Sequence, residues 1–352
     1  MGIEYKDSKR IVASGIGTEL SGVGGWKEVG RTTLGSATAT LDVSSLPDKR
    51  YYMTLLSTTG LSQAATSRIR YNGDTGTTKA YRISGNGGSD ATADDINGIN
   101  IKDGSVTELP WFNVTYHANL SAKEKLMTGH TVAQSTAGAG NAPARQEMVG
   151  KQALTSAPID QITSFLASAG NYSSGSEVVV LGWDEDDTHT TNFWEELASV
   201  SGDGTSKTLD SGTITAKKYL WVQVYGSVAS QMDNIGWQFN SDTGSNYARR
   251  ISLNGASDST SASQTYIRLA GGAATGGSLF GSGFIINNSA NEKLLTSHWC
   301  RNKSTGAGNA PERFETTGKW ANTSSQITSL QFIHSGSSNW DSDSIIKVWG
   351  SD

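Results

Sequence analysis

Apolar and polar residues alternate along most of this chain, in runs too short for helices. In "YLWVQVY", residues 219–225, Tyr219, Trp221, Gln223 and Tyr225 share one face, and Leu220, Val222 and Val224 share the other. A period of two marks a strand. Similar runs are "SATATLDV", "YYMTLLS", "SRIRY", "KAYRIS", "FNVTYH", "KLMTGHTV", "ITSFLA" and "SEVVVLGW", followed by "IGWQFN", "YARRIS", "GFIINN", "KLLTSHW", "ITSLQFI" and "SIIKVWG". Clusters of Gly, Asn, Asp and Ser separate them, as β-turns require. The second group of runs repeats the first. "GAGNAP" occurs at 138–143 and again at 306–311, an offset of 168. The same offset relates Trp26 to Trp194, Tyr51 to Tyr219, Arg145 to Arg313, Glu147 to Glu315 and Lys151 to Lys319. One register held over this length is a tandem duplication, and its period is a domain rather than a solenoid unit.

The pattern predicts an all-β chain of two homologous β-sandwich domains, each with eight or nine strands and jelly-roll-like. A serial meander barrel is the alternative. Residues 1–25 have no second counterpart and form an N-terminal arm, whose "VASGIGTELSGVGG" reads as linker. Copy one spans 26–184, "EDDTHTTN" at 185–192 is a linker, and copy two spans 193–352. The length of 352 residues agrees with a prior of roughly one domain per 150 residues.

Composition narrows the function classes. A net charge of -5 supplies no basic field, so nucleic acid is not an expected partner. Cys300 is the single cysteine, so no intramolecular disulfide forms. "MGIEYKDSKRIV" lacks the apolar run of a signal peptide, and no stretch approaches the ~20 apolar residues of a membrane span. Neither membrane association nor export is expected.

Candidate chemistry is sparse. Glu124 and Glu147, repeated as Glu292 and Glu315, could form the carboxylate pair of a glycosidase. Basic neighbours read them instead as ion-paired. His130 and His298 lack a second His at metal-ligand spacing and read as strand residues. No nucleophile elbow is present. Cys300 aligns with Val132, which reads as a core thiol. Asn72, Asp74 and Gly76, repeated as Asn240, Asp242 and Gly244, suit a hairpin turn better than a calcium loop, because the distal Glu is missing. Asp184, Glu185, Asp186 and Asp187 form the densest acidic run and read as a solvated one. No catalytic residue, metal or cofactor is assigned. Trp111, Trp299, Trp320 and Trp340 are the candidate binding residues, able to stack on sugars or on a subunit. "GKWANTS" in copy two is "GKQALTS" in copy one, so Gln152 stands where Trp320 does. This predicts copies that differ in what that surface contacts.

The opening "YKDSKRIV", the "NxDTG" stretches, the "GAGNAPxR" loop and "GKWANTSSQIT" resemble tandem-repeat virion structural proteins of tailed, phage-like viruses, largely known from environmental genomes. The resemblance spans essentially the whole chain and brings no catalytic residues. It implies a non-enzymatic component of the head or tail, assembled in a host cytoplasm and bound to capsid or other virion proteins. A capsid decoration or cement protein fits best. A glycan-binding, receptor-recognition module of a tail or adhesin is the alternative, as is a double jelly-roll capsid protein. A homotrimer, six similar domains in a ring, is the expected assembly, and the arm is expected to dock on a neighbour.

Overall fold

A computed structural model describes residues 3–6, 10–13, 25–103, 109–184, 187, 192–270, 274–275, 277–302 and 306–352. Among them there is no helix. Two arm strands, β1 (Ile3–Lys6) and β2 (Arg10–Ala13), pair antiparallel with each other. Of the predicted linker "VASGIGTELSGVGG", residues 12–25, Val12 and Ala13 fall in β2 and 14–24 lie outside the described residues, as do 185–186 and 188–191 of the second predicted linker, with Glu185 and Asp186 of the acidic run.

Copy one contributes β3 (Lys27–Thr33), β4 (Thr40–Ser44), β5 (Tyr51–Ser57), β6 (Ser67–Tyr71), β7 (Lys79–Gly85), β8 (Ala91–Ile96), β9 (Ile99–Lys102), β10 (Trp111–Ala118), β11 (Lys125–Ala133), β12 (Ala144–Gln152), β13 (Gln161–Leu166) and β14 (Glu177–Trp183). Copy two contributes β15 (Glu195–Ser201), β16 (Thr208–Asp210), β17 (Tyr219–Ser227), β18 (Gln231–Met232), β19 (Ile235–Phe239), β20 (Tyr247–Leu253), β21 (Ser259–Gln264), β22 (Ile267–Ala270), β23 (Ala274–Thr275), β24 (Ser278–Ile286), β25 (Lys293–Arg301), β26 (Glu312–Trp320), β27 (Leu330–Ile333) and β28 (Ile345–Ser351).

Each copy is a sandwich of an eight-stranded and a four-stranded antiparallel sheet. The orders are β3-β14-β5-β10-β11-β12-β7-β8 over β4-β13-β6-β9, and β15-β28-β17-β24-β25-β26-β20-β21 over β16-β27-β19-β22. Among the described residues, copy two adds the small β18–β23 pair. With β4 to β10 and β13 taken in chain order as B to I, the sheets read B-I-D-G and C-H-E-F. This is the jelly-roll pairing, and a meander would instead pair successive strands throughout. The hairpin β11–β12 is inserted between H and E, and β3 and β14 extend the sheet beyond C. "GAGNAP" is the turn of that inserted hairpin.

Each sandwich has its own core, with Tyr52, Leu56, Trp111, Val178 and Val180 in copy one and Trp237, Trp299, Phe332 and Val348 in copy two. A third apolar layer joins the copies. Met53, Leu55, Phe112, Val114, Val132, Val179 and Leu181 of copy one meet Phe193, Trp194, Tyr219, Ile286 and Leu294 of copy two. Strands β5 and β14 thus bury both faces, which explains the continuous apolar runs "YYMTLL" and "VVVL".

Candidate functional site

The contact between the copies gathers one set of the repeated ionic residues. Strand alternation on the inserted hairpins sends His130 and Glu147 of copy one, and His298 and Glu315 of copy two, to the face away from each core. His130 pairs across strands with Glu147, and His298 with Glu315. The two histidines touch, with Nε2 atoms 2.9 Å apart. Burial, the His298 ring and the Arg145 charge push His130 down to about 3. The pair is therefore neutral at pH 7, one ring donating and the other accepting.

Arg145 is the charged hub. It pairs with Glu147 of its own copy and reaches Asp258 at 2.8 Å and Glu315 at 3.1 Å in copy two. The "GAGNAP" turn of copy one lies on copy two beside it. The Gly138 amide donates to Glu292, the Ser263 amide donates to the Ala139 carbonyl at 2.8 Å, and Arg250 Nε donates to the Pro143 carbonyl at 2.9 Å. Lys319 Nζ, 3.5 Å from Glu292, donates to the Gln134 and Thr136 carbonyls. Gly87 closes the fit, since a Cβ there would sit 2.7 Å from the Asp258 amide nitrogen.

At the other margin, Phe112 meets the Tyr219 ring at 6.2 Å. The Tyr219 hydroxyl donates to Glu177 at 2.7 Å, and Lys218 pairs with Glu177 at 2.9 Å. Burial alone would raise the Glu177 carboxyl. Hydrogen bonds from Thr33, Lys218 and Tyr219, with the Lys218 charge, outweigh it and hold the group below the usual carboxylate range.

The contact is head to tail. None of the seven apolar residues from copy one is the counterpart of any of the five from copy two. Phe112 is 1 % exposed, yet its counterpart Phe280 is 54 % exposed. Leu294 is 1 % exposed, yet Leu126 is 55 % exposed. Copy one therefore buries one end of its outer face and copy two the opposite end. The exposed end of copy one carries a groove of about 380 Å³ lined by Trp26, Tyr51, Tyr116, Leu126 and Trp183.

The four candidate tryptophans are elsewhere. Trp111, Trp299, Trp320 and Trp340 are all buried in the two cores, so they offer no exposed stacking platform. On β25, alternation sends His298 and Cys300 outward and Trp299 inward, where it lies flat over Gly281. A Cβ on Gly281 would come within 1.9 Å of the Trp299 ring. Trp340 stacks on Phe332, and Trp111 packs on Tyr172. Trp320 donates Nε1 to Asp242 at 2.7 Å, and Gln152 donates Nε2 to Asp74 at 3.2 Å. The expected divergence in surface contacts is thus corrected: both residues brace the same turn from within. In that turn Asp74 accepts from the Gly76 amide, Thr78 and Lys79. Burial would raise Asp74, but these donors outweigh it and hold it at about 2. Cys300 is likewise corrected, from core thiol to exposed outer-face residue.

Each candidate glutamate has a cationic partner: Lys151 for Glu124, Arg145 for Glu147, Lys319 for Glu292, and Arg145 and Arg313 for Glu315. Among the described residues no three His, Cys, Asp or Glu side chains converge as a metal site. Asp187 pairs with Lys49 and accepts from the Asp184 amide.

No known protein family and no curated protein matches the chain. Neisserial surface protein A is 7 % identical, with 82 % of this chain and 99 % of that one covered and a TM-score of 0.13. The N-terminal β-barrel domain of Pseudomonas aeruginosa OprF is 8 % identical, with 77 % and 98 % covered and a TM-score of 0.15. Scores this low carry neither fold nor function across.

Proposed function

We propose that the chain is a non-enzymatic structural protein of a virus particle, a decoration or cement protein on the capsid surface. The observation that supports a building-block role is the head-to-tail joint. Two jelly rolls are fixed together by an apolar layer and a buried ionic hub, while the matching surfaces at the two ends of the chain stay exposed. A molecule of this kind is shaped for repetition rather than turnover. The ion-paired glutamates agree, because none of them is poised as a free acid or base. The sequence resemblance to virion proteins of tailed viruses supplies the setting. With the four tryptophans buried, the glycan-binding reading loses the residues it rested on.

The test is immunogold electron microscopy on density-purified particles from a sample containing this sequence. Label on capsid heads is the expected outcome. Protein found only in the soluble, particle-free fraction would overturn the reading.

A further inference from the structure

The ionic hub of the joint inside the chain has a second set of parts, although Glu177 at the other margin has Ile345 as its counterpart. The copy-one side of the joint is the "GAGNAP" turn with Arg145, and copy two carries the same turn with Arg313. The copy-two side is Asp258, Arg250, Glu292 and Lys319, and copy one carries Asp90, Arg82, Glu124 and Lys151 at the same offset of 168. Each partner type is retained, yet the second set is solvent-exposed. The side chain of Arg145 is 6 % exposed and that of Arg313 60 %. Asp258 is 1 % exposed and Asp90 46 %. Lys319 is fully buried and Lys151 is 51 % exposed. Residues 306–311 are exposed throughout, whereas Pro143 of the docked turn is buried. The seat for an arginine is also present on copy one, as a groove of about 260 Å³ lined by Arg82, Asp90, His130 and Glu147. Beside it lies the aromatic groove at Trp26 and Leu126.

We propose that the copy-two turn of one chain docks on the copy-one outer face of a second chain, repeating between chains the joint made within each. Arg313 would enter the groove beside Asp90, the Gly306 amide would meet Glu124, and Lys151 would be covered as Lys319 is. A heterologous contact of this kind closes into a ring or runs on as a filament, according to its rotation. The copy-two face offered to the next chain is more polar than its counterpart, with Ser282, Cys300 and Lys347 in place of Val114, Val132 and Val179. The contact between chains is therefore weaker than the one within them and reversible. This inference does not depend on the particle reading.

The experiment is light scattering with mass measurement on the full chain across a concentration series. Wild type is compared with Arg313→Glu, Asp90→Arg, Leu126→Glu and the double reversal. All three positions are exposed in the single chain, so unchanged melting of the monomer checks folding. The expected result is a mass that rises to a multiple of 37.2 kDa. Each single variant should weaken association at least about tenfold, and the double reversal should recover most of it. A wild type that stays monomeric to its solubility limit overturns the proposal, as does a monomer that fills the Trp26 groove with an oligosaccharide. An oligomer indifferent to all three substitutions overturns it equally.

Discussion

Gln152 and Trp320 occupy one position and do one task with different atoms, a hydrogen bond to the half-buried aspartate of an exposed turn. Trp320→Phe keeps a ring near Tyr247 but removes the bond and one ring of the buried indole, which should cost about 1–2 kcal/mol. Trp320→Ala opens a cavity and should cost about 3–5 kcal/mol. Chemical denaturation separates the two. His117 is a second residue-scale test. It lies fully buried, 2.7 Å from the Tyr71 hydroxyl, and burial pushes it down to about 3. The unfolded chain takes up a proton near pH 6.5 that the folded chain refuses. Stability is therefore complete above that pH and falls as pH drops towards 3, by about 2 kcal/mol between pH 6.5 and 5. Copy two carries Ile285 there. Denaturation midpoints should lose this share of the pH dependence in His117→Gln, while the share from His130 remains. The legibility of single residues was uneven. Basic neighbours marked the glutamates as ion-paired, but most of the actual partners lie across strands or across the joint, Lys151 for Glu124 and Arg145 for Glu315, which proximity along the chain does not show. Tryptophan is amphipathic, and only the facing Gly281 and the neighbouring strands decide which side of a strand is covered.

At the scale of elements, hydrophobic period and turn chemistry were enough to find eight of the twelve described strands of copy one and seven of the fourteen of copy two. Their order was not readable, because the hairpin β11–β12 intrudes between strands that pair in a simple jelly roll, and pairing is a long-range property. The repeated "GAGNAP" was visible as a phrase, but its engagement in one copy alone depends on what faces it. Gly87 and Gly255 make that difference measurable. Both have positive φ, 72° and 75°, so alanine strains both turns by about 1 kcal/mol. Only Gly87 also presses on the Asp258 backbone. Gly87→Ala should therefore destabilise the chain clearly more than Gly255→Ala, as thermal melting will register. Equal losses would mean that the copy-one turn does not bear on copy two.

For the whole molecule, the duplication fixed in advance that two like domains exist, and it left open how they meet. A twofold joint would have engaged both sets of parts. The head-to-tail joint engages one set and exposes the other, and Arg145 is its hub. Arg145→Met would leave the buried Asp258 carboxylate with only the more distant Arg250, 3.9 Å away, and should cost about 3 kcal/mol, seen as loss of cooperative unfolding of the two copies. The central claim is that this joint is the rule of assembly. Cryo-electron microscopy of the assembled protein tests it most directly. The expected map shows neighbouring chains related as the two copies are, with Arg313 beside Asp90 and the 306–311 turn on the Leu126 face. Chains that meet through other surfaces, or through a twofold contact, would contradict it.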